Sequence, residues 1–377
     1  MSIPNPSVST TFDREMMQKC IQLASRGKGQ TAPNPLVGSA IVAQGKIVGV
    51  GFHPGPGQPH AEVFALKEAG ELARGGTLYV NLEPCNHYGR TPPCTEAIIA
   101  AGIAKVVVGI VDPDPRVSGK GIQKLRHAGI EVIVGVEEEA CGQLNEGFIH
   151  RINYGRPFGI LKYAMTLDGK IATTTGHSKW ITSKLARTRV HQLRAACDAV
   201  IVGGNTVRRD NPHLTTHEVP GPNPLRVVMS RSLALPEDLN LWQTDIAPTI
   251  VLTETNTNSK LQTEGRGSLP QYLVARGVEM VEFNHLTPMK AMEYLSQRGI
   301  NTVLWECGGV LAGEAIASQT VQKIMAFIAP KIIGGQTAPS PIGDLGLTDM
   351  LAAVTLDSIK WESIGGDLLI EGYLVDS

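Results

Sequence analysis

His60 stands two positions before Glu62 in "GQPHAEVFALKEAG" (57–70), at the front of an apolar run. Cys85 and Cys94 follow in "LEPCNHYGRTPPC" (82–94), directly after a strand-like segment. One imidazole and two thiolates make a tetrahedral zinc set with a fourth position left open, which catalytic zinc requires. Zinc lowers the pKa of its water to about 7, so hydroxide becomes available at neutral pH. Such chemistry also needs a base that is not a ligand. Glu62 fits, taking the water proton and passing it to a leaving amine. Cys94 sits at a predicted helix start, where unpaired N–H groups and the helix dipole favour a thiolate.

H-x-E followed by P-C-x-x-C is the pattern of zinc-dependent base deaminases. Here eight residues separate the cysteines instead of two. Taken singly, His60 and Glu62 also suit the polar first turn of a helix, and the two cysteines also suit isolated buried thiols. A fourth protein ligand, for which His87 is placed, would close a structural zinc site instead.

The second half has no G-x-G-x-x-G, so an ordinary dinucleotide unit is poorly supported. It has two strand-to-glycine joins, "AVIVGGNTVRRDNPHLT" (199–215) and "VLWECGGVLAGEAIA" (303–317). Glycine pairs let backbone approach a ligand, and helix starts offer N–H groups to phosphate. A tight turn uses the same residues. Glu306 ends a strand beside Gly308 and Gly309, a usual place for site residues in α/β sheets. Arg194 shares a predicted helix with Arg187 and His191 at helical spacing, which a solvated basic face also shows.

The elements that must position these residues alternate strand and helix in both halves, the mark of α/β layers. The first half predicts helices over 13–27, 60–73, 94–102, 121–129 and about 137–150. Strands are predicted at 77–83, 105–111 and 131–136, with a hairpin over 37–53 around "AQGK". The stretch 150–158 lacks apolar periodicity and carries Gly155 and Pro157, so a boundary is placed there. In the second half strands are predicted at 159–165, 198–204, 225–230, 249–253, 301–307, 323–330 and 367–375, with helices at 183–197, 288–299 and 310–318.

Several stretches together resemble a known family. "TAPNPLVG" (31–38), "GFHPGPGQPHAE" (51–62), "EPCNHYGRTPPC" (83–94) and "VDPDPRVSGKGIQKLRHAGIEV" (111–132) look like the deaminase half of the bifunctional riboflavin-biosynthesis deaminase–reductases, which use the longer cysteine spacing. "LKYAMTLDGKIA" (161–172), "GHSKWIT" (176–182), "VHQLRAACDAVIVGGNTV" (190–207) and the second glycine join resemble the reductase half. The resemblance covers nearly the whole chain. It implies a cytidine-deaminase-like three-layer α/β/α domain over 10–152 and a dihydrofolate-reductase-like α/β domain over 156–377.

It implies zinc hydrolytic deamination of 2,5-diamino-6-(5-phosphoribosylamino)pyrimidin-4(3H)-one, followed by NADPH reduction of the ribosyl to a ribityl chain. The resemblance also places Asn34, His53, His87 and Arg90 on the deaminase substrate. Asn34 offers a donor and an acceptor to a pyrimidine edge, and Arg90, often lysine in the family, can grip a phosphate. NADPH would meet Ala164, Trp180, Thr206, Asp210 and the 308–313 loop with Gly308, Gly309 and Gly313. The reductase substrate would meet Ser178, Arg194, Leu214, His217 and Glu306, with Lys162 a further polar contact. Asp-Asp-Pro-x-Leu-Thr-x-Arg in the family reads Asp210-Asn211-Pro212-His213-Leu214-Thr215-Thr216-His217 here. A neutral imidazole cannot give bidentate guanidinium binding to phosphate. An alternative expectation is therefore a deaminase carrying a silent reductase-like domain. Self-association as a dimer or tetramer is implied by the resemblance alone.

Bulk properties agree with a small-molecule enzyme. A chain of 377 residues exceeds what one core usually serves. A net charge of -1 gives no global field for nucleic acid or an anionic membrane. Six scattered cysteines are too sparse for a disulfide scaffold. The start "MSIPNPSVSTTFDREMM" lacks a secretory pattern. The longest apolar stretch, 97–111, is broken by Lys105 and two glycines and is short for a membrane span. These features predict a cytoplasmic protein with reduced thiols.

Overall fold

The computed structural model describes residues 10–88, 92–255 and 271–375, and the chain divides into two compact units, Met1–Gly155 and Arg156–Ser377. The first unit opens with α1 (Thr11–Ala24), whose N-terminus carries a reciprocal capping box between Thr10 and Asp13. The hairpin β1 (Gly38–Ala43) and β2 (Lys46–Phe52) follows. Its two-residue turn holds Gln44 and Gly45 at positive φ, the geometry that matches strand twist. Next come α2 (Ala61–Ala69), β3 (Thr77–Leu82), α3 (Cys94–Ala100), β4 (Lys105–Ile110), α4 (Lys120–His127) and β5 (Glu131–Val134). The sheet order is β2-β1-β3-β4-β5, with β3, β4 and β5 parallel and β1 antiparallel to both neighbours.

Alternation along the strands divides the side chains between two faces. Leu78, Val80, Val106 and Val108 pack with Ala65, Ile98, Ile122 and Leu125 from α2, α3 and α4. Tyr79 and Val107 pack on the other side with Met17, Cys20 and Cys141. The result is the expected three-layer α/β/α arrangement. The predicted helix over 137–150 is two helices, α5 (Glu138–Leu144) and α6 (Glu146–Tyr154). The break falls at Asn145, whose side chain leaves the helical path to accept from the Leu36 N–H and donate to the Leu36 carbonyl. The 150–158 stretch is helical to Tyr154, and Gly155 ends it in the left-handed conformation.

The second unit contains β6 (Phe158–Thr166), α7 (Lys184–Ala196), β7 (Ala199–Gly203), α8 (Gly204–Asp210), β8 (Leu225–Met229), β9 (Thr249–Glu254), α9 (Gln271–Ala275) and β10 (Glu279–Phe283). It continues with α10 (Pro288–Gln297), β11 (Thr302–Trp305), α11 (Gly309–Ala317), β12 (Lys323–Ala329), β13 (Leu356–Ile364) and β14 (Asp367–Leu374). The sheet order is β10-β9-β8-β7-β11-β6-β12-β14-β13; the first seven are parallel and the last two close it antiparallel. Val200, Val202, Val228 and Leu304 face a core shared with α7, α8 and α9. Ile201, Val227, Leu252 and Trp305 face the core under α10 and α11. Among the described residues no helix is long and apolar enough to cross a membrane.

Candidate functional site

In the first unit, His60 is the N-cap residue of α2, and Glu62 lies in that helix's first turn. The helix sits tightly on β2 because the strand has glycine where it touches: a Cβ on Gly51 would fall 2.2 Å from the Ala61 carbonyl oxygen. Cys85 follows β3, and Cys94 begins α3. His60 Nδ1 is 3.2 Å from Cys94 Sγ and 3.5 Å from Cys85 Sγ. Among the described residues these three form the one cluster of possible metal ligands, their donor atoms all within 4.8 Å of one another. His87 is exposed and outside that cluster, so it does not act as a fourth ligand here. Three convergent nitrogen and sulfur donors suit zinc with an open position.

Cys85 is the more acidic thiol. The Cys94 thiol donates toward it, His60 lies beside it, and the Cys94 N–H reaches its sulfur at 3.3 Å; together these hold Cys85 low. Cys94 is pushed up by its hydrogen bond with Cys85 and by burial. The helix-start N–H expected to stabilise a Cys94 thiolate therefore serves Cys85. Glu62 is 3 % exposed, and its Oε2 has no hydrogen-bond partner. Burial, then the neighbouring Cys85, pushes its carboxyl up to about 7. A buried, unpartnered carboxylate oxygen beside three metal ligands is placed to hold a proton.

His53 and Asn34 lie next to this cluster. Their side chains meet at 2.9 Å, and His53 Nδ1 lies 3.1 Å from the Pro59 carbonyl oxygen. With its proton on Nδ1, His53 accepts from the Asn34 amide through Nε2; burial lowers the pKa of the ring, against the Pro59 carbonyl. The His53 and His60 rings are 5.5 Å apart, edge to face. Arg90 lies outside the described residues. Glu83, which carried no expectation, is buried and accepts from the backbone N–H groups of Asp112, Gly119, Gly121 and Ile122. It ties the 112–122 segment to the strand end that presents Cys85. Nothing in residue type or spacing marks those four backbone donors.

In the second unit a cavity of about 890 Å³ joins both glycine turns. Lys162 and Ala164 reach it from β6, Ser178 from the following loop and Arg194 from α7. Thr206 and Asp210 of α8, Leu214, Glu306, Gly308 and Gly309 complete the expected residues on its wall. Glu306 accepts from Arg194 Nε and Nη2 at 2.5 and 3.0 Å and from Lys162 Nζ at 3.1 Å. Burial would raise its carboxyl, but the two cations hold it well below the usual carboxylate range. Arg194 is thus a buried member of the site, not part of a solvated face.

Three expected residues lie off the cavity wall. Trp180 is exposed, with the Arg187 guanidinium 4.3 Å above its ring. Gly313 packs against the backbone at Gly343 and Asp344. His217 stacks on His191 at 4.3 Å between centroids. Asn211 is the left-handed C-cap of α8, a conformation asparagine tolerates better than most residues. Its Oδ1 accepts from the Asn240 N–H, and its carbonyl accepts from the Asn240 amide. The cavity also includes Arg208, Arg209, Ser230 and Arg231, which no spacing argument singled out. Arg226 is fully buried and donates to the carbonyls of His213, Asn240, Gln243 and Ala247, bracing the loop that carries Leu214 and His217.

Residues 157–370 match the family model described as the RibD C-terminal domain, and residues 10–110 match the cytidine and deoxycytidylate deaminase zinc-binding region. The chain is 61% identical over 362 residues to the riboflavin biosynthesis protein RibD of Synechocystis sp., covering 96% of each. It is 45% identical to RibD of Aquifex aeolicus, covering 95% of this chain and 98% of that one. Among solved structures, Acinetobacter baumannii RibD superposes with a TM-score of 0.84 at 36% identity, covering 96% of this chain and 99% of that one. The Thermotoga maritima diaminohydroxyphosphoribosylaminopyrimidine deaminase/5-amino-6-(5-phosphoribosylamino)uracil reductase gives a TM-score of 0.83 at 37% identity, covering 96% and 99%.

Proposed function

Because the chain belongs to the RibD family of bifunctional riboflavin-biosynthesis enzymes, we propose that its first unit deaminates 2,5-diamino-6-(5-phosphoribosylamino)pyrimidin-4(3H)-one at C2. In the same reading its second unit reduces the resulting aminouracil's ribosyl group to ribityl with NADPH. The observation that carries the first step is the convergence of His60, Cys85 and Cys94 beside the unpartnered Oε2 of Glu62. These three residues would hold zinc, which when bound supplies a Lewis acid that makes water a nucleophile at neutral pH. Glu62 takes the proton from the attacking water and returns it to the departing amino group, so ammonia leaves neutral. Asn34, fixed by His53, offers hydrogen bonds to the pyrimidine edge. His87 and Arg90 are assigned to the rest of the substrate.

The second step is supported by the cavity on the two glycine turns. NADPH bound there supplies the hydride. Ala164, Trp180, Thr206, Asp210, Gly308, Gly309 and Gly313 are assigned to hold the cofactor. Lys162 and Arg194, locked by Glu306, orient the ribose carbonyl end, and Ser178, Leu214 and His217 complete the substrate side. Orientation of this kind is the protein's main contribution where the cofactor carries the chemistry. A dimer or tetramer is part of the same reading, and sedimentation velocity tests it.

The deciding experiment supplies the diaminopyrimidine phosphate and NADPH to protein of known zinc content and follows ammonia release and NADPH absorbance. Ammonia first and NADPH loss second is the expected order. Ammonia without NADPH loss would remove the reductase assignment; neither signal, with zinc bound, would remove the substrate.

A further inference from the structure

The segment 211–217 after α8 holds three side-chain-bearing residues in the left-handed region: Asn211 at φ 40°, Leu214 at 53° and His217 at 50°. Asparagine tolerates that region, whereas leucine and histidine persist there only where the surroundings over-determine it. Leu214 is buried and lies on the cavity wall. Ties to four residues hold the segment. Asn211 accepts from Asn240 through its carbonyl and its Oδ1. The His213 carbonyl accepts from Arg226 Nη1 at 3.3 Å, and the Thr215 carbonyl accepts from Arg194 Nη1 at 2.9 Å. Asn223 Oδ1 accepts from the Thr216 N–H at 2.8 Å, while Asn223 Nδ2 donates to the Ile246 carbonyl. Arg226 is the tie that comes from inside the fold. It is the second residue of β8 and fully buried. Its Nη1 also donates to the Asn240 carbonyl at 3.4 Å, and its Nη2 donates to the Gln243 and Ala247 carbonyls at 2.8 and 2.5 Å. Among the described residues no carboxylate pairs with it.

We propose that Arg226 is a positioning residue of the second site, setting substrate affinity without touching substrate. It acts through the His213 carbonyl, which fixes the next residue, Leu214, in the cavity wall and keeps the Thr215 carbonyl within reach of Arg194. The proposal rests on the reading of the second unit as a phosphoribosyl reductase. A buried charge without an ionic partner is expensive. Burial works against this one, bringing the guanidinium down to about 10, with Asp245 opposing. A well-packed apolar side chain often serves stability as well as a buried ionic group. What it cannot do is gather four carbonyl oxygens from two segments onto one rigid fork. One of those segments is 240–247, which also anchors Asn211 through Asn240 and Asn223 through Ile246. The other reaches the cavity at Leu214 and, through Arg194, meets Glu306 on the same wall. Arg226 thus joins the strand end of β8 to the substrate side of the cavity, and the left-handed residues of the segment are the conformation it enforces.

Two measurements on the full-length protein test this. Arg226→Met removes the donors and keeps a long side chain; Arg226→Lys keeps the charge and loses the fork. Steady-state reduction of the deaminated substrate is followed below the melting midpoint of each variant's second unit. In Arg226→Met the substrate KM is expected to rise about 10- to 100-fold, the range that a misplacement of about 1 Å reaches. The KM for NADPH is expected to stay in place, and Arg226→Lys to fall between the two proteins. A merely structural role would lower the active fraction, and so kcat, and leave both KM values alone; that result would overturn the proposal. Amide hydrogen exchange of the free protein is the second measurement. Faster exchange in Arg226→Met is expected in 211–217 and 240–247, with β7 and β8 unchanged. Faster exchange throughout the second unit, or none in 211–217, would equally overturn it. If Arg226→Met does not fold, Asn240→Ala cuts a tie of the same segment from outside. It is expected to raise the substrate KM and not the NADPH KM, and an unchanged substrate KM would speak against the proposal. No NADPH turnover by the wild-type protein would instead remove the reductase reading, and the exchange pattern alone would then decide whether Arg226 holds this wall of the cavity.

Discussion

A carboxylate oxygen buried without a partner is costly, by about 1–3 kcal/mol when neutral groups are left unsatisfied and more when charged. Glu62 carries that cost on Oε2, two residues after His60, which is sensible only if the oxygen acts on something that comes and goes. Glu62→Gln keeps the volume and removes the base. Deamination kcat should fall about 10²- to 10⁴-fold, with zinc content by atomic absorption unchanged and NADPH-dependent reduction of the deaminated intermediate intact. Unchanged ammonia release would remove Glu62 from the mechanism. Glu306 is the opposite case, a buried carboxylate made stable by Lys162 and Arg194. Its folded-state pKa lies below the unfolded one, so its contribution is complete above the unfolded carboxyl value of about 4.3 and is lost as pH falls toward the folded value. Glu306→Gln leaves the buried Arg194 and the half-buried Lys162 under-compensated. It should destabilise the second unit by about 3–5 kcal/mol and remove that acid-range slope from urea-unfolding midpoints. A variant with the wild-type slope would show that other carboxylates set it.

Elements transmit these positions through close backbone contact. Gly121 at the start of α4 lies where a Cβ would stand 2.2 Å from the Pro84 carbonyl oxygen, next to Cys85 of the convergent His60–Cys85–Cys94 set. Gly121→Ala must push α4 and the Pro84–Cys85 turn apart. A cost of about 1–3 kcal/mol is expected for this overpacking, together with weaker zinc retention against a chelator. Ala tolerated with both unchanged would mean the turn relaxes freely. This contact shows the boundary of what could be read without coordinates. Val106, Val107 and Val108 announce a strand buried on both faces, and the strand is there. β13 was missed because its exposed residues on both faces leave no alternation to detect. α8 escapes the sequence because a seven-residue helix that begins on the second of two glycines looks like a turn. At the first site, residue type alone brings His60, Cys85 and Cys94 together, because metal chemistry restricts it, and their donor atoms do converge. Glu83 and Arg226 are not legible in this way, because they act on backbone N–H and carbonyl groups, which every residue has.

At the scale of the whole molecule, each unit owns a pair of cores on the two faces of its own sheet, and a segment with its own core can in principle fold by itself. His60, Cys85 and Cys94 all belong to the first unit, and the cavity on the two glycine turns lies wholly in the second. A metal that binds only the folded form stabilises it by mass action, by about 4 kcal/mol when it is present at a thousand times its dissociation constant. Calorimetry should therefore show two transitions. Dialysis against a chelator should lower the first unit's midpoint, leave the other in place and abolish ammonia release. NADPH oxidation with the already deaminated intermediate should continue at its original rate, because no group on the cavity wall is a zinc ligand. If both midpoints fall together, or if NADPH oxidation declines in step with zinc loss, the two units are energetically coupled, and reductase activity depends on the metal through the fold of its neighbour.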